Sequence, residues 1–174
     1  MKTLLLLAAI PLTIALLGLV PRTARWLPWT AAVLMLAQLP VVLWLTRAFL
    51  THTDVVTASL GIDGVGAAFL VITTLVAAAA FVQAAWLLPA ERPHEPQITD
   101  RRFCLFYTLA GLFITAMYGV LLAQNLGYLW IAMEATTLIS APLIHYHRSR
   151  KSLEATWKYL LLCSVGIGFA LLGT

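Results

Sequence analysis

Read for polar and apolar positions, the chain resolves into six long runs almost free of Asp, Glu, Lys and Arg, at residues 4–20, 27–45, 65–88, 103–123, 126–144 and 155–174. A bilayer core about 30 Å thick is crossed by a helix of roughly 20 mainly apolar residues, so each run is long enough to span. The breaks carry helix-ending chemistry: Pro21, Arg22 and Arg25 after the first run, Gly61, Asp63 and Gly64 before the third, and residues 89–102 after it. The pattern predicts an all-α, polytopic transmembrane bundle of about six helices forming a single domain.

Composition sharpens this picture. Hydrophobic residues make up 61% of the 174 residues and charged residues 10%, and the mean hydropathy is +0.92. Such a chain needs lipid as its solvent. A net charge of +4 would suggest a nucleic-acid partner in a soluble protein, but here most basic residues sit in short loops beside apolar runs and report topology. No nucleic-acid partner is expected. Cys104 and Cys163 lie inside apolar runs, distant in sequence and without a ligand cluster, so they are read as small packing residues rather than as a disulfide or metal pair. No haem, iron–sulfur or metal ligand set is expected, and no cofactor. The first run follows Lys2 and has some character of a signal peptide. Its length and the poor cleavage site at Leu19-Val20-Pro21 favour an uncleaved helix.

Lys and Arg counted on alternate sides of the membrane set the orientation. Arg22, Arg25, Arg92, Arg101, Arg102, Arg148, Arg150 and Lys151 share one side, against Lys2 and Arg47 on the other. The richer side is expected to be cytoplasmic, which places the N-terminus, residues 46–64 and the turn at Gln124 and Asn125 outside. Trp26, Trp29, Trp44, Trp86, Trp130 and Trp157 all fall near run ends, where an amphipathic indole sits well. A cell inner membrane is the expected location.

Against this apolar background, Glu134 stands out, within one position of the middle of the fifth run. An acid there costs several kcal/mol on some scales and needs a reason. Two are open: a proton carrier whose charge state a moving partner switches, or a permanently neutral acid hydrogen-bonded to a neighbouring helix. Thr137 lies three residues on, and His145, eleven residues on, falls about 20° from the same line, so this stripe points from the midplane to the cytoplasmic end. Pro142 within it removes the hydrogen bond to Leu138 and is expected to bend the line. His145 and His147 are either proton collectors or part of a solvated basic loop. Lys158, about one turn into the sixth run, either snorkels and pairs with Glu154 four residues earlier or acts as a charged partner inside the membrane. Ser152 is expected to cap the sixth helix, with Glu154 in its first turn. Gly61, Asp63, Gly64 and Gly66 have the wrong spacing and context for a nucleotide loop, and a turn at a span boundary accounts for them. Gln38, Gln83, Thr73 and Thr74 are expected to make interhelical hydrogen bonds.

Residues 130–174, with Trp-Ile-Ala-Met-Glu-Ala-Thr-Thr-Leu-Ile-Ser, then Ser-Leu-Glu-Ala-Thr-Trp-Lys-Tyr and Cys-Ser-Val-Gly-Ile-Gly-Phe, resemble the antiporter-like subunits of complex I and its relatives. Within that group the likeness is strongest to component F of hydrogenase-4 and formate hydrogenlyase complexes. The segment from Ile62 and Asp63 through the third run is similar more weakly, and the first 60 residues match in helix pattern only. The resemblance implies a proton-exchanging role for Glu134 and a modulating charge at Lys158. It also implies an N-terminus outside, water-lined half-channels around broken helices, and partners among the other membrane subunits of a hydrogenase or complex I-like assembly. That fold has about fourteen helices in two inverted repeats, so the chain is expected to be an N-terminal portion lacking the seventh-helix lysine, the eighth-helix relay and the second repeat.

The leading expectation is a non-redox, proton-translocating membrane subunit of a hydrogenase or NADH:quinone oxidoreductase-like complex. A related subunit of a cation/proton antiporter or of an inorganic-carbon uptake complex shares the same glutamate and lysine. A non-transporting membrane scaffold, with Glu134 neutral and fixed, is the reading from a different class.

Overall fold

A computed structural model describes residues 2–20, 23–51, 61–91, 99–146 and 150–173. Pro21, Arg22, Arg92, His147 and Arg148, which entered the topology and loop readings, lie outside them. Six helices follow in order: α1 (Lys2–Gly18), α2 (Leu27–Thr51), α3 (Gly64–Glu91), α4 (Asp100–Leu122), α5 (Leu126–Ile144) and α6 (Arg150–Leu172). Among the described residues there is no strand. By length and composition, Leu27–Ala48, Gly64–Ala90, Asp100–Leu122, Leu126–Ile144 and Lys151–Leu172 can cross a membrane, and α1 contributes a shorter apolar stretch, Leu7–Gly18.

Side-chain chemistry sets the helix starts. Asp63 Oδ1 accepts the Gly66 amide at 2.7 Å, satisfying one of the amides that α3 leaves unpaired in its first turn. That is the boundary turn expected there. Asn125 does the same for α5, accepting the Gly127 amide at 2.9 Å, so α4 and α5 are joined by the tight turn at Gln124 and Asn125. The sixth helix departs from expectation, because it begins at Arg150 rather than 155. Arg150 and Lys151 extend it past the apolar run into the polar boundary. Ser152 is therefore inside the helix and does not cap it, and Glu154 falls beyond the first turn.

The core lies among α1 to α4. Leu7, Ile14, Leu27, Met35, Val42, Leu70, Phe103, Tyr107 and Tyr118 are fully buried. Helix α1 lies between α2 and α4, and small residues set its approach to α4. A Cβ on Gly111 would meet the Pro11 carbonyl at 2.6 Å and the Ala15 amide at 2.9 Å, and one on Gly18 would meet the Cys104 carbonyl at 2.8 Å. Backbones approach this closely only where no side chain intervenes.

Proline placement has a further consequence. Pro11 has no N–H to give the Leu7 carbonyl, which would otherwise accept from it one turn on. Gln38 of α2 donates to that carbonyl instead, at 2.8 Å from a fully buried position. Between α3 and α4, the Thr74 and Tyr118 hydroxyls bond at 2.9 Å. Gln38 and Thr74 thus make the interhelical bonds expected of them, whereas Thr73 is half-buried and Gln83 exposed, with no such bond among the described residues. Cys104 is buried and Cys163 half-buried, and the two form no disulfide among the described residues. Trp26, Trp29, Trp44, Trp86 and Trp157 are exposed near helix ends, with Trp29 and Trp86 edge to face at 5.2 Å.

Helix α5 packs on α4, and α6 packs principally on α5. A third of the residues across the spans of α2, α3 and α4 are buried, but only 6% of those across α6. The one mid-span acid lies on the seam between these two outer helices.

Candidate functional site

Glu134 sits half-buried at the centre of α5, and its Oε1 accepts a hydrogen bond from the Ser164 hydroxyl of α6 at 2.6 Å. No cation among the described residues forms an ion pair with it. Its described partner is neutral, so the carboxyl is not locked by a fixed countercharge. A serine hydroxyl donates to a carboxylate and, turned over, accepts from a carboxylic acid, which accommodates either charge state.

From Glu134 toward the C-terminal end of α5, the seam stays polar. Thr137 is buried, its hydroxyl bonded back to the Met133 carbonyl at 3.2 Å. Ser140 Oγ stands 2.9 Å from the Thr137 carbonyl and 2.9 Å from the Tyr159 hydroxyl of α6. His145, the C-cap of α5, places Nδ1 2.9 Å from the Ser152 hydroxyl. Thr156 is buried between Tyr159 and Ser152 on α6, its hydroxyl donating to the Ser152 carbonyl at 2.7 Å. Three side-chain bridges therefore cross one seam: Glu134 with Ser164, Ser140 with Tyr159, and His145 with Ser152. Beside His145, a cleft of about 170 Å³ opens between α4 and α5, lined by Arg102, Phe106, Pro142 and Tyr146 among others.

On the other side of Glu134 the seam is apolar. Leu126, Leu129, Trp130 and Met133 of α5 face Gly166, Ile167, Ala170 and Leu171 of α6 across a cavity of about 320 Å³.

Of the expected site residues, Glu134 and His145 fall on this seam. Lys158 does not join them. It forms an ion pair with Glu154 on α6, and the two side chains are 69% and 65% exposed, so the pairing expected from i, i+4 spacing is present and no ion pair links Lys158 to Glu134. Ser140, Tyr159 and Ser164 escaped sequence reasoning, since hydroxyls in apolar runs are common and only tertiary contact picks these out. Ser152 was noticed for the wrong reason: its hydroxyl serves His145, not the helix end. No cluster of three or more potential metal ligands occurs among the described residues.

No family model matches the chain. Over 69 residues it is 35% identical to a hydrogenase-4 component F homolog of Methylacidiphilum infernorum (isolate V4), a match covering 40% of this chain and 14% of that relative. The chain thus matches about a seventh of the relative's length. Together with five helices able to cross a membrane, this likeness describes a multi-pass membrane protein similar to a membrane-bound hydrogenase component.

Proposed function

We propose that this chain is a membrane subunit of a hydrogenase or NADH:quinone oxidoreductase-like complex that moves protons through Glu134, with Lys158 modulating that carboxyl by its charge. In this reading the N-terminus faces outward, the basic loops face the cytoplasm, and the membrane is the cell inner membrane. The partners are the other membrane subunits of the assembly, and the redox chemistry belongs to other subunits of the complex.

One observation carries the proposal: a mid-span carboxyl, half-buried, whose described partner is a serine hydroxyl that serves either protonation state. An acid meant only to glue two helices gains nothing from a partner that suits its ionised form. The likeness to a hydrogenase-4 component F homolog supports the setting. Lys158 enters as a switch. Held by Glu154 it leaves Glu134 alone, and released toward the seam it favours the ionised carboxylate.

The pairing of Lys158 with Glu154 favours a second reading, a scaffold in which Glu134 stays neutral and bonded to Ser164. Infrared difference spectra of the native complex during turnover separate the two. The transport reading expects a carboxyl band that changes with turnover and disappears in Glu134→Gln, whereas the scaffold reading expects no such band.

A further inference from the structure

We propose that the seam between α5 and α6, from His145 to Glu134, is the path by which protons pass between the cytoplasmic side and Glu134, with the Ser140 and Tyr159 hydroxyls as its midway step. This rests on the reading of Glu134 as a proton carrier and specifies its access route.

The geometry is that of a relay. The three bridges are separated along α5 by six and five residues, about 9 and 7.5 Å at 1.5 Å rise per residue. Buried Thr137 lies within the first interval and buried Thr156 between Tyr159 and Ser152 on the facing helix, so polar side chains continue along the seam. Short water chains between polar groups complete such intervals at small cost.

Ser140 shows why the midpoint conducts. Its single hydroxyl proton has two acceptors at equal distance, the Thr137 carbonyl and the Tyr159 oxygen, both at 2.9 Å. A hydroxyl carries one proton and two lone pairs. When Ser140 gives its proton to the Thr137 carbonyl, Tyr159 is free to donate to Ser140, and when Ser140 turns to Tyr159, that bond reverses. The pair therefore has two hydrogen-bond directions, which a relay requires and a static brace does not.

Transfer balances without any co-reactant. An imidazolium at His145 gives up its proton and returns to neutral imidazole. Each hydroxyl on the way takes a proton on a lone pair and releases its own, and Glu134 passes from carboxylate to carboxylic acid. The reverse sequence discharges it.

Access from this seam is one-sided. Beyond Glu134 the facing residues are Met133, Trp130, Ile167 and their apolar neighbours, which offer a proton no carrier. At the other end the seam opens beside His145 on a cleft that Arg102 also lines.

The test uses the full-length subunit in its native complex, in sealed inside-out vesicles, with protons translocated per electron and assembled complex both measured. Tyr159→Phe and Ser140→Ala should each lower translocation roughly tenfold at unchanged assembly, less than the factor of about 100 or more lost with a positioned proton donor. Ser140→Thr should restore it by returning the hydroxyl, and Leu171→Ala in the apolar half should leave it unchanged. If Glu134→Gln abolishes translocation while Tyr159→Phe and Ser140→Ala pump normally, this route is overturned and the carrier reading stands. If Glu134→Gln itself pumps normally, both fall together.

Discussion

The seam between α5 and α6 is two different materials joined at Glu134. Toward His145 it is crossed by three hydrogen-bonded side-chain bridges. Toward Leu126 it opens into a cleft of about 320 Å³ walled by apolar groups. The same two helices meet along both halves, so composition makes the difference rather than fold. Glu134, Ser140 and His145 of α5 meet hydroxyls on α6 in one half, and leucine, methionine and glycine line the other. An acid at that junction meets polar side chains on one side and apolar walls on the other, as a carrier with one-sided access along this seam requires.

Breaking the contrast from the apolar side should produce the largest effect. Met133→Asp places a second acid next to Glu134 where the wall of the seam is apolar, and should destabilise the helix in the membrane by about 2.5–3.5 kcal/mol on insertion scales. Thermal unfolding of the purified complex and the yield of assembled subunit would both show this. From the polar side, Ser164→Ala removes the described partner of Glu134, and should cost about 1 kcal/mol in stability together with most of the proton transport. Tyr159→Phe keeps the ring and deletes one interhelical hydrogen bond, worth about 0.6 kcal/mol on average in membranes. Its loss should barely register in melting, in contrast to its effect on transport. Smallest of all, Glu154→Gln breaks an exposed ion pair and should move stability by at most about 0.5 kcal/mol. Under the switch reading it also frees Lys158 and changes the transport rate, whereas a purely surface pair leaves the rate untouched.

Much of the scaffold was legible beforehand, because a bilayer leaves few choices for backbone polar groups. Charge-poor runs marked six helices, and Asp63 and Asn125 marked two starts whose capping bonds the structure contains. Glu134 was legible for the same reason, as an acid where lipid tolerates almost none. What could not be read was which mild polar residues meet across helices. By helical spacing Ser140 stands about 120° round from Glu134, off the stripe that runs through His145, and only the long Tyr159 side chain of the facing helix brings it into the seam. Ser152 was misjudged because it was read as the cap of a helix starting just after it, whereas the helix begins at Arg150 and the serine hydroxyl meets His145. Gln38 shows the converse case: a residue marked as an interhelical bonder finds its partner, the Leu7 carbonyl, because Pro11 has freed it.

The central claim is that Glu134 carries protons, and the most direct measurement compares proton translocation with electron transfer in native complexes bearing Glu134→Gln. The account predicts that the complex assembles and that translocation per electron collapses, with Glu134→Asp retaining part of it. Unchanged translocation per electron in Glu134→Gln would contradict the account and leave Glu134 as a neutral brace between two helices.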